Sequence, residues 1–235
     1  MTSQICASCD KPTSKPVVVA IEHSASVGGR TIYACPEHSQ AKLEALAAAL
    51  GEEGITAGAY AADATDEKAL AAALTAAADD LGRIGVLSYS PAPMWDHSGD
   101  GLPDLGAMGF TSALETTPAS ARAQFDLVGG GALTAVATVL PAMREARDGA
   151  LLFTTGRSAI TPMPILGNAG IAQAGLRNWA DNAHAELAAD GVYVGHISVG
   201  VPILPGTGEG DPDAIADRWY RLTRTRDAFE TTIGF

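Results

Sequence analysis

The run GALLFTT at residues 149–155 is the clearest strand signal in this sequence. It is short and mostly apolar, a pattern typical of a strand that is buried on both faces. Two further runs have the same character, IGVLSY at residues 84–89 and GVYVGHISV at residues 191–199. We therefore predict buried strands at these three places, and an additional strand at residues 55–62.

The segments between these strands have the periodicity of helices. Apolar residues recur at positions i, i+3, i+4 and i+7 in residues 40–53, and a capped second helix is predicted for residues 65–81. Two long helices follow at residues 118–147 and 168–189, and residues 211–231 are predicted to be mostly helical. Strands that alternate with helices predict an α/β fold, in which helices cover both faces of a mostly parallel sheet.

Composition excludes several classes of partner. The chain has 235 residues, and its 15 Lys and Arg residues stand against 27 Asp and Glu residues, so we expect no nucleic-acid partner. The opening residues are polar and no apolar segment follows them, which predicts no signal peptide. No apolar run reaches the roughly 18–20 residues of a membrane span. We expect a cytoplasmic protein without a membrane partner.

Two pairs of metal-ligand residues lie near the start of the chain. Cys6 and Cys9 are separated by two residues, and Cys35 and His38 repeat this spacing. Such gaps let both members of a pair face one ion, and the two pairs together supply the four ligands that tetrahedral zinc prefers. Four protein ligands leave no open position, so we predict a structural zinc ion. Ordinary buried thiols, or a redox pair at Cys6 and Cys9, are the alternatives.

The segment between the two pairs has the layout of a zinc ribbon. Strand-like runs at residues 17–21 and 31–34 are separated by a turn that contains two glycines. We predict a zinc-ribbon-like segment at residues 1–39, followed by an α/β domain at residues 40–235.

From about Ala41 onward, several motifs stand in a characteristic order. They are AKLEALAAALGEEGI, AADATDEKAL, VLPAM, GALLFTTGRSA and AQAGLRNWADNAHAELAADGVYV. In order and spacing they resemble the short-chain dehydrogenase/reductase family. This resemblance implies a Rossmann-like sheet, and it places Asp63 at the family's adenine contact.

The catalytic residues of that family are not matched. The resemblance implies a Tyr that exchanges a proton with the substrate, a Lys that lowers its pKa, a Ser that orients the substrate and an Asn that supports a water relay. The corresponding positions hold Ala169, Gln173, Gly156 and Val128. A methyl group donates no proton and an amide carries no charge. The comparison therefore implies a pseudoenzyme with respect to the family's hydride transfer.

The dinucleotide loop of the family, T-G-x-x-x-G-x-G, is not matched either. Glu22 and Ser26 occupy two of its glycine positions, and only two residues separate Gly28 from the strand-like run that begins at Thr31. No room is left for the helix whose N-terminus faces the phosphates. We therefore assign no cofactor-binding residues, do not expect NAD(P), and infer that the zinc-ribbon hairpin replaces the first strand, turn and helix. The usual final strand of the family is not evident.

Polar side chains near the predicted carboxyl ends of the strands are candidates for a small-molecule pocket. The segment SYSPAP stands where the family has its nicotinamide loop, and the residues after it would supply a pocket rim with an acid–base imidazole. Solvent-facing loops and hydroxyls that cap the backbone are the plain alternatives, and His196 is interpreted as a satisfied core histidine. The candidates are Tyr89, Ser90, Trp95, Asp96, His97, Thr155, Arg157, Ser158, Asn168 and Gln173.

Three functions stay open at this point. The first is small-molecule binding or a non-redox transformation, such as cyclisation, elimination or isomerisation. The second is a non-catalytic partner or scaffold of an active homologue, and the third is an atypical NAD(P)-dependent oxidoreductase. Whether the chain is an enzyme at all is left undecided. Members of the family associate through their long helices, so we expect a homo-oligomer or hetero-oligomer that uses residues 118–147 and 168–189.

Overall fold

The computed structural model describes residues 36–91, 105, 106 and 108–235, together with four two-residue strands before them. These strands are β1 (Gln4–Ile5), β2 (Pro12–Thr13), β3 (Val17–Val18) and β4 (Tyr33–Ala34). β1 pairs with β2 and β3 pairs with β4, both antiparallel, as two separate two-stranded sheets. The β3–β4 pairing lies within the two runs that the sequence predicts as a hairpin.

Helices and strands alternate through the rest of the described chain. The helices are α1 (Pro36–Glu52), α2 (Glu67–Leu81), α3 (Pro118–Phe125), α4 (Gly131–Ala146), α5 (Gly167–Leu187) and α6 (Pro212–Thr225). The strands are β5 (Val86–Tyr89), β6 (Gly149–Gly156), β7 (Val192–Val199) and β8 (Glu230–Ile233). These four strands form one parallel sheet in the order of the sequence. The predicted α/β fold with its parallel sheet is confirmed.

The central strands are buried on both faces, as the apolar runs predict. In β6, Leu151 and Phe153 pack with residues of α4 and α5, whereas Ala150 and Leu152 pack with residues of α6. Successive side chains of a strand point to opposite faces, so helices cover the sheet on both sides. Each large side chain buried in this way contributes about 1.5–3 kcal/mol to folding.

The end of the chain corrects one expectation. Residues 211–231 were predicted to be mostly helical without a final strand, but α6 ends at Thr225, where Arg226 adopts a left-handed conformation with φ 52°. The chain then turns back and β8 pairs in parallel with β7. The run ETTI is short and half polar, so its own sequence gives little indication of a strand. Pairing with a neighbouring strand makes it one.

A second expectation is also wrong, because residues 55–62 form no strand. A strand needs a partner for its backbone groups. Within the described residues β5 lies at the edge of the sheet, and its first residue, Val86, is 42% exposed.

The predicted helix at residues 118–147 is made of three pieces. A π-helical turn, Asp126–Gly130, separates α3 from α4, and such turns free a backbone carbonyl from the regular ladder. The hydroxyl of Tyr89 donates to the carbonyl of Leu127 at 2.5 Å. A Cβ atom at Gly131 would collide with that hydroxyl, so glycine is required there.

By length and composition this composite helix could cross a membrane, contrary to our expectation that no segment is apolar over that length. However, Val136, Val139 and Met143 of α4 are buried in the core of the domain. Cytoplasmic localisation stays a prediction.

The proposed zinc site lies outside what the structure describes. Cys6, Cys9 and Cys35 are not among the described residues, and His38 is described only as a backbone position near the start of α1. Among the described residues, no three His, Cys, Asp or Glu side chains are arranged to hold a metal ion. The zinc ion and the boundary between residues 1–39 and 40–235 stay predictions.

Candidate functional site

The carboxyl ends of β5 to β8 meet along one edge of the sheet, which is where ligands of open parallel sheets bind. β5 ends at Tyr89, β6 at Gly156, and β7 at Val199. Several of the candidate residues lie at or just beyond these ends. Their hydrogen bonds decide which of them are free to act on a ligand.

Tyr89 has a structural partner. Its side chain is 8% exposed, and its hydroxyl is bound to the π-helical turn, so burial raises the pKa of the phenol well above its usual range. A phenol with such a pKa keeps its proton at neutral pH. We assign Tyr89 to the support of the α3–α4 helix.

Ser90 and Thr154 contact each other on the α6 side of the sheet. The Ser90 hydroxyl donates to Thr154 Oγ1 at 2.8 Å, and Trp219 Nε1 donates to the same oxygen at 3.3 Å. Thr154 therefore accepts two hydrogen bonds, and it connects the ends of β5 and β6 to α6.

Gln173, which the resemblance aligns with the family's Lys, binds the loop after β6. Its amide oxygen accepts hydrogen bonds from the backbone N–H of Gly156 at 2.9 Å and from the Ser158 hydroxyl at 3.0 Å. Ala169, which the resemblance aligns with the family's Tyr, is completely buried. We name Gly156, Ser158 and Gln173 the Gln173 cluster. It is neutral, and the amide oxygen is used to hold the backbone.

Asn168 fixes a loop beside this cluster. It is completely buried, its Oδ1 accepts the N–H groups of Thr111 and Ala169, and its Nδ2 donates to the carbonyl of Gly109 at 2.9 Å. The amide thus ties the loop that contains residues 109–111 to the first turn of α5.

Arg157 is the only described candidate that carries a charge. Its guanidinium carbon lies 5.2 Å from the ring centroid of Phe235. Among the described residues it has no carboxylate partner. It is therefore the cation that this edge could offer to an anionic group of a ligand.

Thr155 belongs to a chain of hydrogen-bonded polar side chains at this edge. Thr155 Oγ1 lies 2.8 Å from Nε2 of His196, and Nδ1 of His196 lies 2.9 Å from Oε1 of Glu230. Arg177 binds both oxygens of Glu230, with Nε to Oε1 at 2.5 Å and Nη2 to Oε2 at 2.7 Å. We name Thr155, Arg177, His196 and Glu230 the His196 network.

Burial and charge determine the protonation states of this network. His196 is completely buried, and burial lowers its pKa even though Glu230 acts in the opposite direction. Arg177 holds the pKa of the Glu230 carboxyl below its usual range. At neutral pH the imidazole is therefore neutral and Glu230 is a carboxylate.

Sequence reasoning found this network only in part. Thr155 was a candidate, and the interpretation of His196 as a satisfied core histidine is confirmed by its two hydrogen bonds. Arg177 and Glu230 were missed. Arg177 follows Gln173 by one helical turn, a spacing that indicates a shared face, whereas nothing local to Glu230 points to His196.

The remaining candidates, Trp95, Asp96 and His97, lie outside the described residues. Asp63, at the position of the adenine contact, is described. Its Oδ1 accepts the backbone N–H of Thr65 at 2.9 Å and the Thr65 hydroxyl at 2.7 Å.

Comparison with known proteins gives one family and many related folds. The profile of the family described as short chain dehydrogenase matches residues 22–203. A short-chain dehydrogenase from Rhodopseudomonas palustris is 22% identical with a TM-score of 0.65, over 83% of this chain and 82% of the other. No curated protein matches.

Two further similar structures were solved with nucleotides. A metagenomic short-chain oxidoreductase in complex with NADP is 22% identical with a TM-score of 0.64, over 82% of this chain and 80% of the other. An alcohol dehydrogenase from the archaeon Thermococcus sibiricus, complexed with 5-hydroxy-NADP, is 17% identical with a TM-score of 0.67, over 83% and 82%. At these identities the likeness establishes the fold.

Proposed function

Because the chain belongs to the short-chain dehydrogenase family, we propose that it binds a small molecule at the carboxyl edge of β5–β8 and acts on it by proton transfer. Cyclisation, elimination and isomerisation are the reaction types that fit, since each rearranges protons on one substrate without net electron transfer. The family's Tyr-dependent hydride transfer is not part of this proposal.

One observation carries the proposal. The amide oxygen of Gln173, in the Lys position, accepts hydrogen bonds from Gly156 and Ser158, above a completely buried Ala169 in the Tyr position. An amide has no charge with which to lower a neighbouring pKa, and a methyl group has no proton to give. In the alignment that the resemblance implies, groups that support the loop stand where the family has the groups that drive hydride transfer, and this supports the proposal.

The family findings run against our expectation concerning NAD(P). Members of the family usually bind NAD(P), and two similar proteins were solved with NADP or 5-hydroxy-NADP. The described residues offer a dinucleotide little: the Asp63 carboxylate is bound by Thr65, and the Gln173 amide oxygen has two donors. The residues that the resemblance aligns with the family's dinucleotide loop, 22–28, lie outside the described residues. The proposed proton transfer does not depend on a dinucleotide.

A nucleotide titration with a turnover assay tests this proposal. Purified protein is titrated with NADPH and NADP by calorimetry, and then assayed with a panel of small aldehydes and ketones by the loss of NADPH absorbance. We expect no NADPH-dependent reduction. Stoichiometric binding followed by carbonyl reduction would overturn the proposal. Binding without reduction would leave the proton-transfer chemistry in place and give the protein a nucleotide ligand.

An atypical NAD(P)-dependent oxidoreductase is the second candidate, and the family match favours it. Such an enzyme would need a proton donor other than Tyr at position 169. His97, a sequence candidate outside the described residues, would be one. NADPH-dependent turnover that is lost in His97→Gln and kept in His184→Gln would select this candidate over the first.

We also propose that the long helices form a contact with a second chain. Phe125 of α3, Leu133 of α4 and Ile171 of α5 are 46%, 40% and 59% exposed, and large apolar side chains exposed on these helices are candidates for such a contact. Mass photometry at nanomolar and micromolar protein, followed by a pull-down from native extract, distinguishes a homo-oligomer from a complex with an active homologue. A monomer that captures nothing would contradict this proposal.

The structural zinc ion stays a proposal on the donor set Cys6, Cys9, Cys35 and His38. Structural zinc sites contribute directly to folding, so we expect a chelator to release about one zinc per chain and to lower the melting temperature. Metal analysis and differential scanning fluorimetry measure both. Cys6→Ser should bind less zinc than the wild type, and an unchanged zinc content would rule out this ligand set.

A further inference from the structure

The His196 network lies between α5 and the ends of three strands. Thr155 comes from β6, His196 from β7 and Glu230 from β8, and Arg177 reaches Glu230 from α5. The register of the parallel strands brings them together. His196 pairs with Glu230 on one side and with Phe153 on the other, and Thr155 follows Phe153 by two residues on the same face of β6. Thr155 is the next-to-last residue of β6, so the network ends at the edge of the sheet where a ligand would bind.

The hydrogen-bond partners determine the tautomer of His196. A carboxylate has no proton to donate, so the proton between Glu230 and His196 is on Nδ1. A neutral imidazole then has only a lone pair at Nε2, and the hydroxyl of Thr155 must be the donor of the 2.8 Å contact. The alternative acceptor for this hydroxyl, the Gly156 carbonyl, is 3.4 Å away and already accepts from Ser198 at 2.8 Å.

This arrangement has the order of an acid–base relay. A carboxylate orients an imidazole, and the imidazole accepts a hydrogen bond from a hydroxyl, as in sites where histidine acts as a general base. The ring of Phe229 stacks on His196 with centroids 5.9 Å apart and an interplanar angle of 16°. Arg177 holds both oxygens of Glu230. The orientation of the imidazole is thus restrained from three sides.

The network also connects the edge of the sheet to solvent. Thr155 is 7% exposed and His196 is completely buried, whereas the side chains of Glu230 and Arg177 are 22% and 34% exposed. The Glu230 carboxylate, which Arg177 keeps ionised, can therefore stabilise the charge of a proton that arrives on His196. These four polar side chains stand in a part of the domain where apolar side chains would be sufficient for packing.

From this geometry we infer that Thr155, His196 and Glu230 form a proton relay that removes a proton from a hydroxyl of the bound small molecule. The inference rests on the proposed function, because it requires a ligand at this edge. The ligand hydroxyl donates its proton to Thr155 Oγ1 while Thr155 passes its own proton to His196 Nε2. The net result is the transfer of one proton: the ligand oxygen becomes an anion, His196 becomes an imidazolium, and the Glu230 carboxylate stabilises that imidazolium.

The relay determines the class of ligand. It suits a small molecule with an acidic hydroxyl, such as an enol or a phenol. In the reverse direction the same path returns a proton to an enolate oxygen. Thr155 is the group that contacts the ligand, whereas His196 receives the proton and Glu230 and Arg177 are positioning residues.

Phenols of graded acidity test the relay, with 4-nitrophenol as the main probe. The phenol is added below the pH at which it ionises in water, and absorbance reports the nitrophenolate form. Nitrogen NMR of protein with labelled histidine reports protonation of His196, and chemical-shift changes of Thr155 and Gly156 report binding at the edge. We expect bound phenol to ionise together with the appearance of an imidazolium signal from His196.

Two variants at neighbouring positions distinguish a relay from a purely structural role of Thr155. Thr155→Val removes the hydroxyl that contacts the ligand, and we expect binding to remain while ionisation falls at least about tenfold, which corresponds to about 1.4 kcal/mol. Thr154→Val removes the neighbouring hydroxyl, which faces α6, and should ionise the phenol like the wild type.

The outcomes distinguish the inference from the proposed function. Phenol that binds at the edge without ionising, or ionises equally in Thr155→Val, overturns the relay and leaves the binding site intact. Phenols that cause no shifts at Thr155 or Gly156 count against the binding site, and therefore also against the relay.

Discussion

Thr155 and Gly156 are neighbours at the end of β6, but they belong to two polar groups that differ in charge. Gly156 belongs to the Gln173 cluster, which is neutral and in which one amide oxygen holds two donors. Thr155 belongs to the His196 network, which contains a carboxylate, a guanidinium and a buried imidazole. The first lies at the positions that the resemblance aligns with the family's catalytic residues, and its hydrogen bonds support a loop. The second lies beside those positions and holds the groups that can exchange a proton.

Under the proposed function, the Gln173 cluster has a structural role and the His196 network has the chemical role. The hydrogen bonds of Gln173 are local, within one helix and one loop. The His196 network needs three strands in register and an arginine from α5. It is therefore the part that depends most on the complete domain.

The largest effect is expected from Glu230→Ala. This change leaves Arg177 without a partner and the N–H of buried His196 without an acceptor, so we expect a loss of about 3 kcal/mol in the free energy of unfolding. Urea denaturation at neutral pH measures it. Asp148→Ala is the control, because Asp148 pairs with Arg83 and Arg226 at the surface, with its side chain 59% exposed, and such pairs contribute about 0–1 kcal/mol. Equal losses in both variants would mean that the network stabilises the fold no more than a surface ion pair does.

Gln173→Lys should come next. An ammonium group cannot accept hydrogen bonds, so Gly156 and Ser158 would lose their shared acceptor, at a cost of about 2 kcal/mol. Gln173→Glu keeps an acceptor and should cost less than half as much. Thermal and urea denaturation of both variants test whether the cluster is structural. If the lysine variant is as stable as the wild type, the amide oxygen is not what holds the loop.

Thr155→Val should have a smaller effect on stability. It removes one hydroxyl of similar size to the new methyl group and leaves Nε2 of His196 without a donor, which costs about 1 kcal/mol. The same denaturation experiment measures it. A loss above that of Glu230→Ala would contradict the order of importance within the network, in which the charged pair contributes most.

The smallest effect on stability is expected from a decrease in pH. In the folded protein burial lowers the pKa of His196 below its ordinary 6.5, and Arg177 lowers the pKa of Glu230 below 4.5. The unfolded chain therefore binds more protons than the folded protein in this range. Stability should be complete above about pH 6.5 and should decrease as the pH falls through these values.

Denaturation at several pH values, in the wild type and in His196→Gln, isolates the histidine. Glu230 from β8 and Arg177 from α5 are the charged groups that face it. The decrease in stability between neutral and mildly acidic pH should be smaller in the variant. Identical profiles would show that His196 has an ordinary pKa.

The sequence predicted the apolar part of the fold well. β6 and β7 are apolar enough to be recognised alone, and their burial on both faces follows from that. β8 was missed and residues 55–62 were overpredicted, because a strand of mixed polarity exists only where a neighbour pairs with it. The π-helical turn was also invisible, although the three successive glycines of residues 129–131 lie in and beside it.

The site was predicted less completely. The sequence placed Ala169 and Gln173 four residues apart on one helix, and both lie on α5; their correspondence to the family's Tyr and Lys stays a prediction. The partners of Gln173 could not be predicted, because Ser158 lies in a loop whose path depends on packing. Glu230 was not considered, since 34 residues separate it from His196 along the chain.

By itself, the sequence determined the class of fold, the burial of the central strands and the absence of a phenol and an ammonium at positions 169 and 173. These follow from residue type and short spacing, which act locally. Only the tertiary structure decided which polar side chains meet. Hydrogen bonds between Thr155, His196 and Glu230 require three strands at one register, and that register is set by the pairing of the whole sheet.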